Sequence, residues 1–176
     1  MVLCLGLDAQ IEGEQGDARD SAAAGDRIDL ALPGLQQRLL EEVVAVGKPT
    51  VLVLLSGSAL AIGWAHDHAG AILQAWYPGQ AGGTALADVL FGSYSPAGRL
   101  PVTFPRSLAD VPDFENYSMK GRTYRYLEHE PLYPFGYGLS YTRFGYSEIR
   151  ISKARIAPSE TVEISATVEN VGRRLD

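Results

Sequence analysis

The chain has 176 residues and a formal charge of −6, from 15 basic and 21 acidic side chains, and 46 % of it is hydrophobic. That is enough apolar material for one good core, or for one domain with a piece of another. The acidic balance argues against nucleic acid or an anionic membrane as the main partner, and no apolar run is long enough to span a bilayer.

Met1 to Leu7 (MVLCLGL) is apolar at every position, the pattern of a strand covered on both faces. Its single cysteine, Cys4, reads as a small buried core residue and says little about redox compartment. The start has neither the basic residues nor the small-residue cleavage site of a signal peptide. Asp8 to Asp29 is polar and glycine-rich, hence loop. It carries Asp8, Glu12, Glu14, Asp17, Asp20, Asp26 and Asp29, with Glu41 beyond it. Leu35 to Val46 shows a helical apolar stripe from Leu35, Leu39, Leu40, Val43, Val44 and Val46, closed by Gly47 and Pro49. Thr50 to Leu55 is a second buried strand. Strand, helix and strand in this order form a βαβ unit, with parallel pairing and a right-handed crossover.

Ser56-Gly57-Ser58 is a turn. Ala69 to Trp76 reads as a third, shorter strand, and a tight loop from Tyr77 to Gly83 leads into a helix from about Thr84 to Phe91, stopped by Gly92. Pro96 to Pro105 is extended and proline-punctuated. Arg106 to Pro134 is polar and irregular, and seven of the nine tyrosines lie between Tyr117 and Tyr146. From Tyr146 the pattern turns to period two at Ile149, Ile151, Val162, Ile164, Ala166 and Val168, so strands with one wet face follow, joined at Pro158-Ser159-Glu160. A domain boundary is expected near Phe144, and both ends read as cut from something longer.

Most candidate chemistry has an ordinary explanation. L-L-S-G-S is not the G-x-S-x-G of a hydrolase serine, and a turn explains it. His66 and His68 flank Asp67 without a further cluster to complete a metal site; a solvated loop accounts for them, and for His129 a surface position. Gly79, Gly82 and Gly83 precede a helix but match no phosphate loop, leaving close helix-to-strand packing. Asn116-Tyr117-Ser118 fits a glycosylation triplet that also arises by chance. The aromatic segment from Tyr124 to Tyr146 suits either sugar stacking or core. The carboxylates after the first strand stand out. They sit where open α/β sheets place ligands, Gly13 lets the backbone approach a ligand, and Arg19 and Arg27 can pair with some acids and leave others free for proton transfer.

GLDAQIEGE, GDRIDLALPGLQQRLLEEV, KPTVLVLLSGSAL, AILQAWYPGQAGGTALADVLFGSYSPAGRLPVTFP, and GRTYRY followed by LYPFGYGLSYTRF together resemble the C-terminal α/β sandwich domain of glycoside hydrolase family 3, from about Leu3 to Phe144. The resemblance implies a three-layer α/β/α sandwich with a mostly parallel sheet over 1–144. The tail, 145–176, resembles the truncated start of a fibronectin type III-like β-sandwich. It further implies a retaining, exo-acting β-glucosidase or β-xylosidase mechanism on β-linked glycosides. There an aspartate nucleophile comes from an N-terminal (β/α)8 barrel that this chain lacks, and a general acid/base carboxylate comes from the sandwich. By position Glu12 matches that acid/base, with Glu14 as the alternative. Asp26 and Arg27 match an element that holds the loop, and Arg122 and Tyr124 match one near the site. No cofactor or metal is implied. Without the barrel the chain alone is expected to be inactive. The competing reading is a non-catalytic carbohydrate-binding or scaffold module. A nucleotide-binding domain ranks lower for want of a phosphate loop.

Overall fold

The structure is a computed structural model that describes residues 1–173. The chain divides into two compact units, Met1–Leu86 with Arg99–Tyr137, and Ala87–Gly98 with the chain from Gly138 onward.

The first unit is mixed α/β. Strands β1 (Val2–Gly6), β2 (Val51–Leu55) and β3 (Ala71–Gln74) form a sheet in the order β1-β2-β3. Both pairings are parallel, with Leu5 opposite Leu54 and Leu54 opposite Gln74. The central strand is covered on both faces: Leu52, Val53 and Leu54 are wholly buried. That is why its sequence is an unbroken apolar run rather than an alternating one. The expected βαβ unit is present, with helix α1 (Gln36–Ala45) between the first two strands.

β1 departs from expectation. It is an edge strand, and only Leu5 within it is fully buried; Val2 and Cys4 are exposed. Apolar residues at every position require two covered faces, and among the described residues only one face of β1 is covered. Cys4 is therefore a surface thiol and not a core residue. The α1 stripe is also only partly used. Leu40 is buried and packs in the core, whereas Leu35 and Val46 are 77 % and 63 % exposed. The helix stops as read, at Gly47 (φ +74°), whose N–H donates to the Val44 carbonyl at 2.9 Å.

Helix α2 (Gly63–His68) was not expected. Six residues are too few to display a helical period. Ala65 inside it and Leu60 and Ile62 just before it are buried, and it leaves His66 and His68 on the surface. The two histidines therefore sit on a helix and not in a loop. Helix α3 (Gly82–Phe91) starts slightly earlier than read. A Cβ on Gly82 would lie 2.6 Å from Pro78 Cγ, so this glycine serves packing against its own turn and not against a strand.

The segment from Arg99 to Tyr137 is less irregular than its composition suggests. Phe104 and Tyr133 form an antiparallel bridge, with Phe104 N–H donating to the Tyr133 carbonyl at 2.8 Å. Phe104 is buried, edge-on to Trp76 and to Tyr133. A single helical turn, α4 (Thr123–Tyr126), lies within this stretch.

The second unit contains β4 (Phe144–Ile151) paired antiparallel with β5 (Ile164–Asn170), with a register irregularity between Ser147 and Arg150 where Glu148 takes φ +52°. The turn at Pro158 to Glu160 is closed by the Glu160 N–H on the Ala157 carbonyl. Thr142 donates to Asn170 Oδ1 at 2.6 Å, and the Tyr141 hydroxyl donates to the Val89 carbonyl at 2.7 Å. The ribbon itself buries no side chain.

Candidate active site

The loop that leaves β1 is folded on itself by its own polar groups. Asp8 Oδ1 accepts the N–H groups of Gln10 and Ile11, at 2.8 and 3.2 Å, and the Asp8 carbonyl accepts that of Glu12 at 3.0 Å. Further on, Ser21 Oγ accepts from Ala23 and Gly25 and donates to the Asp26 carbonyl. The two limbs meet where Gly13 N–H donates to the Gly25 carbonyl at 3.1 Å. Only glycine fits this crossing. Gly25 is buried at φ +119°, and a Cβ there would stand 2.6 Å from the Gly13 carbonyl oxygen. Glu12 and Glu14 thus flank a fixed point of the backbone.

Glu12 turns back toward the sheet. Both of its carboxylate oxygens lie 2.9 Å from Ser58 Oγ, in the turn after β2. The same Oγ lies 2.9 Å from Arg27 Nη1, which also donates to the Ala59 carbonyl. A guanidinium only donates, so Ser58 accepts from Arg27 and its one proton points at Glu12. The result is a chain of charge-assisted hydrogen bonds, guanidinium to hydroxyl to carboxylate. Its three members are half-buried, and Glu14 two residues on is exposed. Behind them Ser56, wholly buried, donates to the Ser58 carbonyl at 2.9 Å and accepts from Gln74 Nε2 at 3.0 Å. The carboxyl ends of β2 and β3 are tied together there.

Ser58 is the residue whose part the sequence hid. The turn carries it, and no histidine touches it among the described residues. Gln36 is another. Its amide accepts from Gly6 N–H at 2.8 Å and donates to the Gly6 carbonyl at 2.9 Å, pairing the exposed end of β1 as a neighbouring strand would. A glutamine in an amphipathic helix carries no signal for this.

The remaining candidates have partners of their own. His66 Nδ1 meets the Tyr133 hydroxyl at 2.8 Å, and Trp64 stacks on His68. Among the described residues no three His, Cys, Asp or Glu side chains converge as metal ligands. His129 lies 3.9 Å from Asp110. Arg122 braces its own loop through the carbonyls of Asp113, Asn116 and Ser118. Tyr124 stacks on Phe135 with centroids 4.5 Å apart. The aromatics divide: Tyr133 packs with Phe104 and Tyr137, and Tyr117 stands 92 % exposed beside Asn116. Burial, then Tyr137 and Asp67, raise the Tyr133 phenol above its ordinary pKa. No helix among the described residues is long and apolar enough to cross a membrane.

Comparison with known proteins connects this loop to a family. Residues 1–141 match the family model described as the glycosyl hydrolase family 3 C-terminal domain. The chain is 45 % identical to a xylan 1,4-beta-xylosidase of Xylanibacter ruminicola, covering 95 % of this chain and 19 % of that protein. It is 40 % identical to a periplasmic beta-glucosidase of Salmonella typhimurium, covering 94 % and 23 %. Among solved structures, a β-glucosidase from Erythrobacter marinus superimposes with a TM-score of 0.81 at 42 % identity, over 98 % of this chain and 23 % of that one. The chain thus spans about a fifth of the length of the relatives it matches.

Proposed function

Because the chain belongs to glycosyl hydrolase family 3, as its C-terminal domain, we propose that it is the acid/base-bearing part of a retaining, exo-acting β-glycosidase. The substrates are β-glucosides or β-xylosides, the two activities named among its relatives. The observation that carries this reading is the braced loop at the carboxyl end of β1, with Glu12 and Glu14 on either side of the Gly13–Gly25 crossing. The parallel sheet is read as part of a three-layer α/β/α sandwich, and the exposed β4–β5 ribbon as the opening of a fibronectin type III-like domain.

A retaining hydrolysis needs two carboxyl groups about 5 Å apart, one to attack the anomeric carbon and one to protonate the leaving oxygen and later activate water. This chain supplies the second. A barrel domain supplies the nucleophile and the pocket for the terminal sugar. Between the two loop glutamates the geometry favours Glu14 as the proton carrier. It is exposed, whereas both Glu12 oxygens are engaged by Ser58. Glu12, the better match by position, then serves as the anchor.

General acid catalysis contributes roughly 100- to 10,000-fold, far below a whole enzyme's acceleration, so this chain alone is expected to be inactive on aryl β-glycosides. Mixed with the separately expressed N-terminal remainder of the Xylanibacter relative, it is expected to restore turnover. Glu14→Gln should remove most of it and Glu12→Gln less. Loss of activity from Glu12→Gln alone would reverse the two roles. Sugar binding with no turnover in any mixture would instead favour a carbohydrate-binding module.

A further inference from the structure

We infer that Ser58 is a positioning residue: its hydroxyl latches the acid loop to the end of β2, with Arg27 holding the latch closed. This rests on the acid/base reading above and deepens it. Most bonds that shape the loop join loop residues to one another, as at Asp8, Gly13–Gly25 and Ser21. Those bonds set its internal shape but not its place on the sheet. Ser58 belongs to the turn after β2, and it meets Glu12 across 46 residues of sequence and Arg27 across 31. One oxygen thus joins the first limb of the loop, its return limb and the sheet. Its base is rigid, because Ser56 is buried and bonded to both the Ser58 carbonyl and Gln74.

The orientation is forced. Arg27 can only donate, so the serine proton has one direction left, toward the carboxylate. A hydroxyl is required here because it must accept and donate at once. Alanine does neither and threonine does both. Glu14 is two residues from the latched Glu12 and exposed, so its position depends on Ser58 through the backbone. A misplacement of about 1 Å costs on the order of 100-fold in such chemistry.

The test uses the whole chain and backbone amide exchange. Ser58→Ala should speed exchange at Gly13 and Gly25 about tenfold or more, the scale of one lost hydrogen bond to a charged group. Val53 and Leu54 in β2 should stay protected, and Ser58→Thr should restore the loop. Arg27→Gln cuts the latch from its far end and should give the same loop-specific change, which covers the case in which Ser58→Ala does not fold. Unaltered loop exchange in Arg27→Gln or in a folded Ser58→Ala overturns the inference. In the reconstituted mixture Ser58→Ala should lower kcat at least tenfold with KM unchanged; unchanged kcat also overturns it. If the unmodified mixture shows no turnover, the proposed function fails, and the exchange result still decides the latch.

Discussion

The first unit and the β4–β5 ribbon are both rich in branched aliphatic residues, yet they use them in opposite ways. In the sheet, Leu52, Val53 and Leu54 are wholly buried. In the ribbon, Ile149, Ile151, Ile164 and Val168 are each more than half exposed. Two strands bury little by themselves; a third layer or a helix is what converts an apolar face into stability. Apolar content therefore measures what a segment is built to bury, and the surrounding chain determines whether it does.

The sharpest break in that comparison is Gly6→Ala. At φ +141° a Cβ would stand 1.9 Å from the Leu55 carbonyl oxygen, on backbone that cannot move without unpairing β1 from β2. The expected outcome is loss of the cooperative unfolding transition by circular dichroism. Next is Leu54→Ala, which should cost about 2–5 kcal/mol by urea denaturation, while Ile149→Ala in the ribbon should stay within about 0.5 kcal/mol. Equal costs would show that the ribbon has a core of its own. Gly25→Ala follows, with its strain confined to the loop: at φ +119° a Cβ would stand 2.6 Å from the Gly13 carbonyl oxygen. It should cost about 1–3 kcal/mol, raise amide exchange at Gly13, and leave β2 protected.

The smallest effect is electrostatic. Folding holds the Tyr133 phenol above its ordinary value, chiefly by burial. The neutral phenol's contribution is complete below pH ~10 and is lost as the pH rises through the folded value. Tyr133→Phe should flatten that alkaline decline in a pH series of melting temperatures, and an unchanged slope would assign it to other tyrosines.

Much of the fold was legible because periodicity is a local property. TVLVLL, short and β-branched between turn residues, reads as a covered strand, and Gly47 with Pro49 reads as a helix end. The loop after β1 was legible as a loop for a similar reason, since its glycines and carboxylates break the apolar pattern; which of its acids meets Ser58 was not. Cys4 and helix α2 were misread because exposure depends on which neighbours cover a face, and a six-residue helix is shorter than the period that would reveal it.

What the chain order determined alone was the identity of the pieces: two apolar strands, the helix between them, an acidic loop and an alternating ribbon. The tertiary structure decided how the pieces are used. It brought Glu12, Arg27 and Ser58 onto one oxygen from positions up to 46 residues apart, and it left Glu14 exposed two residues away. The reason is physical. A hydrogen bond is set by distance and direction between atoms, and a serine in a turn looks the same in sequence whether it meets water or a carboxylate.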